Sequence, residues 1–214
     1  MKLVLSAMFI GAYMAASTAA SAAPVAYTLD PNHTYVLFSW SHLGFSHPTG
    51  QFGKTQGTLI YDAADPSASS VRVTIPVASI DTHVPALDKD LLGTGFLDVA
   101  KYPSITFESN EVTPVGKDRF RIDGNLTVHG TTKPATLEVT LNKAGLYPMI
   151  NAPGLGFAAT TAFKRSDFGV GGGVPMVGDE LEVRISTEAI ESHAYATKIL
   201  PLEKKTTQQS SGAR

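Results

Sequence analysis

The feature that most constrains this chain is an apolar residue at every second position, repeated in one segment after another. A period of two turns one face of a strand towards a core and the other towards water. Turn residues such as Asp65-Pro66-Ser67 separate most of the segments, so neighbours along the chain are expected to pair antiparallel. Seven segments show the alternation: 35–40, 71–77, 105–108, 119–128, 135–142, 155–163 and 181–186. A Thr- and Gly-containing run over 51–61, which ends in Leu59, Ile60 and Tyr61, brings the number of expected strands to eight.

These segments predict an all-β domain. Closing eight antiparallel strands into a barrel removes the exposed sheet edges. A barrel of that size encloses either packed side chains or one elongated ligand. Residues 85–100 break the alternation, because their apolar positions recur at spacings of three and four. This spacing predicts a short helical insertion, interrupted at Gly93 or Gly95, that caps one end of the barrel.

The two ends of the chain differ from this pattern. Lys2 is followed by an uncharged apolar stretch, and Ala20-Ser21-Ala22 provides small residues at a cleavage site. Residues 1–22 are therefore predicted to be a cleavable signal peptide that directs export to the periplasm. We expect the barrel domain to span 23–192 and a C-terminal tail to span 193–214. The polar end of the tail, from Lys204 onwards, is predicted to be disordered.

Composition excludes several functions. The chain has no cysteine, so disulfides, thiolate metal sites and a cysteine nucleophile are ruled out. With 17 basic and 19 acidic residues, it lacks the excess of positive charge that a nucleic-acid partner requires. The apolar stretch near the N-terminus is short for a spanning helix, so we expect no stable membrane insertion.

Two groups of polar residues are candidates for a reactive site. His33, His42 and His47 lie in one segment but form no His-x-His pair, which favours hydrogen-bonded histidines over a metal site. Ser79, Asp81 and His83 would lie in a row on one side of an extended segment, which is poor geometry for a catalytic triad. We therefore predict no catalytic residue, no metal and no cofactor.

Short motifs occur in a fixed order along the chain: Asp30–Thr34, Phe38–His42, Gly50-Gln51-Phe52, Ala78–Thr82, Phe96–Val99, Tyr102-Pro103, Phe107-Glu108-Ser109, Gly124–Gly130 with Lys133, Gly156-Phe157 and Arg165–Gly169. This ordered set resembles the YceI family of periplasmic polyisoprenoid-binding, lipocalin-like proteins. The resemblance covers roughly Tyr27 to Ile190. The family usually has Arg-Asp before the helix and His-Leu within it, where this chain has Leu87-Asp88 and Asp90-Leu91.

The resemblance implies an eight-stranded lipocalin-like barrel whose tunnel holds a long-chain isoprenoid or similar lipid, with no covalent catalysis. His42, Arg165 and Asp167 are then expected at the mouth, where they meet the head group or water. Strand parity gives the inward-facing candidates for ligand binding as Phe38, Trp40, Phe52, Val73, Ile75, Phe107, Leu126, Phe157 and Phe163.

Two alternatives remain open at this point. The chain could be a hydrolase that acts on a lipid at the barrel mouth through His42 or His129, which requires a second polar group converging on that histidine. It could also be a stress or surface-interaction protein whose barrel interior is solid. Homodimerisation is possible but has no signature in the sequence.

Overall fold

The computed structural model describes residues 23–204; the predicted signal peptide and residues 205–214 of the predicted tail lie outside the described residues. Two short helical elements contribute to the barrel interior. They are the helix α1 (Pro85–Leu92) and a 3-10 helix of one turn over Arg165–Phe168. The strands are β1 (Val25–Leu29), β2 (Tyr35–Ser39), β3 (Thr49–Phe52), β4 (Gln56–Tyr61), β5 (Ser70–Pro76), β6 (Ile80–Asp81), β7 (Ser104–Pro114), β8 (Arg119–Val128), β9 (Thr131–Tyr147), β10 (Ala152–Lys164) and β11 (Glu180–Glu191).

The strands close into an antiparallel barrel. The hydrogen-bonded order runs β1, β4, β5, β7, β8, β9, β10 and β11, and β11 pairs back with β1. β2, β3 and β6 prolong β1, β4 and β5 beyond a bend in each, so the wall has eight antiparallel strands. The predicted eight-stranded barrel is confirmed. β1 itself was not among the predicted segments.

Three neighbouring strands bend at one level of the wall. The chain leaves the ladder at residues 30–34, 53–55 and 77–79. Asp30 fixes the first bend, because its carboxylate accepts the Asn32 amide at 2.9 Å and lies 2.7 Å from His33 Nδ1. Interruptions of the ladder let a sheet curve sharply enough to close.

The predicted strand parity is confirmed where the ladder is regular. Val36 and Phe38 are buried, whereas the alternate residues Tyr35 and Leu37 are exposed on the outer surface. β7 changes parity at a bulge, since the register with β8 shifts between Ser109 and Glu111. Apolar residues on both sides of the bulge therefore face inward.

The two ends of the barrel are covered differently. α1 ends at Leu92, because the Gly93 amide bonds to the Asp90 carbonyl, and it is shorter than the predicted 85–100. Leu91 and Leu92 pack against the core, so the helix caps one end as expected. At the opposite end the chain is helical over 192–204, where the tail was expected to begin, and Tyr195 is buried against the barrel.

Candidate ligand-binding cavity

The barrel interior contains a cavity of about 590 Å³. At roughly 30 Å³ per water molecule, this corresponds to the volume of about twenty waters. Every strand of the wall contributes side chains to it, as does α1 through Leu87 and Leu91. The lining is apolar apart from glycines and the polar residues Thr34, His42, Thr55, Thr161, Arg165 and Thr187.

Aromatic rings form much of the wall nearest α1. The Phe38 ring stacks on Trp40 with ring centroids 5.8 Å apart, and its centroid lies 5.3 Å from that of Phe52. Across the interior, Phe163 packs edge-on against Phe168 at 5.2 Å. Such surfaces offer a ligand dispersion contacts and the hydrophobic effect rather than hydrogen bonds.

The cavity opens at the α1 end. His42, Gly95, Gly172 and Gly173 line it and are also exposed to solvent. Two loops, 40–48 and 165–179, form part of this mouth and are joined by backbone hydrogen bonds. The Leu43 amide donates to the Met176 carbonyl at 2.9 Å, and the Gly178 amide donates to the Ser41 carbonyl at 2.7 Å.

Arg165 organises the second of these loops. Its side chain is buried and donates to four backbone carbonyls at 2.7–2.8 Å. Burial lowers the pKa of Arg165, and the nearby Asp179 carboxylate opposes that shift. The guanidinium thus holds the loop in place, since four of its five N–H donors bond to loop carbonyls. These acceptors are Val170, Gly172, Val177 and Gly178.

Among the threonines that line the interior, Thr34 and Thr55 lie in the bends of the wall. Thr34 donates its hydroxyl to the Asp30 carbonyl at 2.7 Å and also contacts the Thr187 hydroxyl at 2.7 Å. Thr55 is 1% exposed, and its hydroxyl has no hydrogen-bond partner among the described residues. Buried polar groups without partners are rare in proteins and cost free energy.

The barrel wall is also incomplete on one side. The β9–β10 ladder stops at Glu138 opposite Thr160, so residues 131–137 and 161–164 do not pair with each other. An outer groove of about 760 Å³ lies over this gap. Ala135, Thr161 and Val183 line both the groove and the interior cavity, so the two are separated by a single layer of residues.

Eleven of the twelve predicted binding residues line this cavity; the exception is Asp167, which is exposed on the 3-10 turn. On that turn Arg165 and Phe168, three positions apart, face inward, and this directs Asp167 to solvent. The eleven are Phe38, Trp40, His42, Phe52, Val73, Ile75, Phe107, Leu126, Phe157, Phe163 and Arg165.

Several lining residues were not predicted. Val36, Val183 and Ile185 have the inward parity of their strands and could have been included on that ground. Thr34 and Thr55 lie in bends between strands, where alternation gives no signal. Only the tertiary structure places them in the interior.

The described residues contain no group of three or more histidine, cysteine, aspartate or glutamate side chains arranged to hold a metal. In the same part of the chain no side chain is hydrogen-bonded to His42, and the His129 ring packs edge-on against Tyr102 at 4.5 Å. The convergence required by the hydrolase hypothesis is therefore not seen in residues 23–204. No helix among the described residues is long and apolar enough to cross a membrane.

A closed antiparallel barrel around one apolar cavity defines a class of small β-barrel proteins that enclose a ligand-sized interior. Comparison with known proteins gives the family. The model of the YceI-like domain matches residues 27–189, and the chain belongs to this family.

Curated relatives agree over nearly the whole chain. A UPF0312 protein of Azotobacter vinelandii (strain DJ / ATCC BAA-1303) is 35% identical over 190 residues, which cover 89% of this chain and 98% of the relative. A UPF0312 protein of Yersinia pestis (strain Pestoides F) is 38% identical over 176 residues, covering 81% and 91%.

Solved structures share the fold. BcnA of Burkholderia cenocepacia superposes with a TM-score of 0.68 at 26% identity, over 75% of this chain and 98% of that protein. The YCEI protein of Campylobacter jejuni gives a TM-score of 0.64 at 26% identity, over 71% and 89%. A polyisoprenoid binding domain from Saccharophagus degradans gives 0.61 at 14% identity, over 78% and 99%, a likeness of fold alone.

Proposed function

We propose that this protein is a periplasmic carrier that holds a long-chain isoprenoid, or a similar amphiphilic lipid, inside the barrel without covalent chemistry. The observation that carries the proposal is the apolar cavity of about 590 Å³ with its mouth at the α1 end. Membership of the YceI-like family supports it. Export rests on the sequence pattern of residues 1–22.

The physical basis is the match between an elongated apolar chain and an apolar tube. Each square ångström of apolar surface removed from water contributes about 25 cal/mol, and an isoprenoid tail has much such surface and few polar groups. His42 and Arg165 at the cavity wall and Asp167 on the surface nearby remain predicted to meet the head group or water at the mouth. A solid-core protein would lack this cavity, so the geometry favours the carrier over that alternative.

The cargo is tested by native mass spectrometry, with organic extraction, on the mature protein purified from its own cells. The expected result is a stoichiometric lipid of the isoprenoid class. An empty protein that also takes up no polyprenyl lipid in vitro would contradict the proposal.

A pair of variants tests where the lipid lies. Ala159 is buried in the cavity wall, whereas Ala158 next to it is exposed on the outer surface. Ala159→Phe should fill part of the cavity and lower lipid affinity at least tenfold. Ala158→Phe makes the same change outside and should leave affinity unchanged. Equal affinity of both variants would show that the lipid does not occupy the interior.

A further inference from the structure

We propose that the hydroxyl of Thr55, in the bend between β3 and β4, is a polar subsite of the cavity that binds a carbonyl or hydroxyl oxygen of the ligand. The inference rests on the proposed function and deepens it, because it states which chemical group of the ligand the interior recognises.

The first observation is the unpaired hydroxyl itself. Thr55 is 1% exposed, and its Oγ1 has no partner in the described structure. It lines the same cavity as the aromatic rings near α1. A buried hydroxyl without a partner destabilises the folded protein, and such groups are found where a ligand or a water supplies the missing bond.

The second observation is the setting of Thr55. Thr34 and Thr187 line the same cavity and contact each other through their hydroxyls at 2.7 Å. Thr34 donates its only hydroxyl proton to the Asp30 carbonyl at 2.7 Å. The Thr55 hydroxyl, by contrast, keeps both its donor and its acceptor lone pairs free within the described structure. A group that can both donate and accept suits an alcohol or a carbonyl group rather than an ion.

The third observation concerns charge. Among the described residues, no Asp, Glu, Lys or Arg lines the cavity apart from Arg165, which belongs to the loop at the α1 end. An ionised group beside Thr55 would thus lose its hydration without a counter-ion, at a cost far above that of a neutral group. The subsite is therefore specific for neutral oxygen-bearing groups.

The experiment compares two probes and two variants. The probes are geranylgeraniol and the hydrocarbon that lacks only its hydroxyl, and binding is followed by the fluorescence of the single tryptophan, Trp40, in the cavity wall. The variants are Thr55→Val and, as a matched control, Thr34→Val. Both remove one interior hydroxyl and keep the side-chain shape, but only the Thr34 hydroxyl already has partners.

We expect wild-type protein to prefer the alcohol about fivefold, the ratio that one neutral hydrogen bond gives. Thr55→Val should abolish this preference without changing affinity for the hydrocarbon. It should also raise the melting temperature of the empty protein, because an unpaired buried hydroxyl is removed. Thr34→Val should lower the melting temperature and keep the preference.

A preference for the alcohol that survives in Thr55→Val would overturn the inference, since the oxygen would then bind elsewhere. A lower melting temperature of empty Thr55→Val would also overturn it, because the hydroxyl would then serve the fold. If neither probe binds wild-type protein, the proposed carrier function fails, and the subsite fails with it.

Discussion

Arg165 offers the sharpest test of how the mouth of the cavity is built. Replacing it by Met keeps an apolar stem of similar length but removes all four hydrogen bonds to the carbonyls of the 165–179 loop. Losing a hydrogen bond from a charged donor costs about 1.5–3 kcal/mol when its acceptor is left unpaired. The loop is largely exposed, so water will replace part of what is lost.

The bond to the Val170 carbonyl is buried, whereas the other three are partly buried. Counting the first in full and the others in part, we expect a loss of about 3 kcal/mol in the free energy of unfolding. For a domain of this size, that lowers the melting temperature by roughly 6–12 °C. Urea unfolding and calorimetry measure the two quantities.

Amide hydrogen exchange shows whether the effect is local. The Val170 and Val177 amides, which bond within the loop, should exchange much faster in Arg165→Met. Arg165→Lys is the control: it keeps the charge but, as a point donor, cannot serve four carbonyls at once, so it should resemble the Met variant. A Met variant with wild-type melting temperature and wild-type exchange in this loop would refute the reasoning.

Three further predictions follow. Gly124→Ala should destabilise the barrel strongly, because the new Cβ would lie 2.5 Å from a backbone carbonyl of β7. Gly156→Ala is the control: its new Cβ would have no described neighbour within 4 Å, so urea unfolding should show it neutral or stabilising. The hydrogen bond to Asp30 raises the pKa of His33 above 6.5. The contribution of this pair to stability should therefore be full below pH 6.5 and disappear as the pH rises through the raised value. In urea unfolding, the free energies of wild type and His33→Gln should differ at low pH and converge at high pH. Burial raises the pKa of Tyr195 to about 12, so absorbance titration should show this tyrosine ionising after an exposed one, unless the C-terminal helix has detached.

The alternation of apolar residues was sufficient to predict the barrel. Parity depends only on the two-residue repeat of a strand, and it placed residues such as Phe38 and Phe107 on the inner face. The spacing of Leu87 and Leu91 likewise predicted a helix at the end of the barrel. The ordered motifs pointed to the family that the comparisons then confirmed.

The tertiary structure decided what periodicity cannot. Whether the inward side chains fill the barrel depends on its circumference and curvature, and the cavity of about 590 Å³ emerges only when the wall closes. Asp167 and Arg165 are close in sequence, yet the 3-10 turn sends one to solvent and the other into the loop. Thr55 lies in a bend outside any repeat, so only the tertiary structure reveals that its hydroxyl is buried without a partner among the described residues.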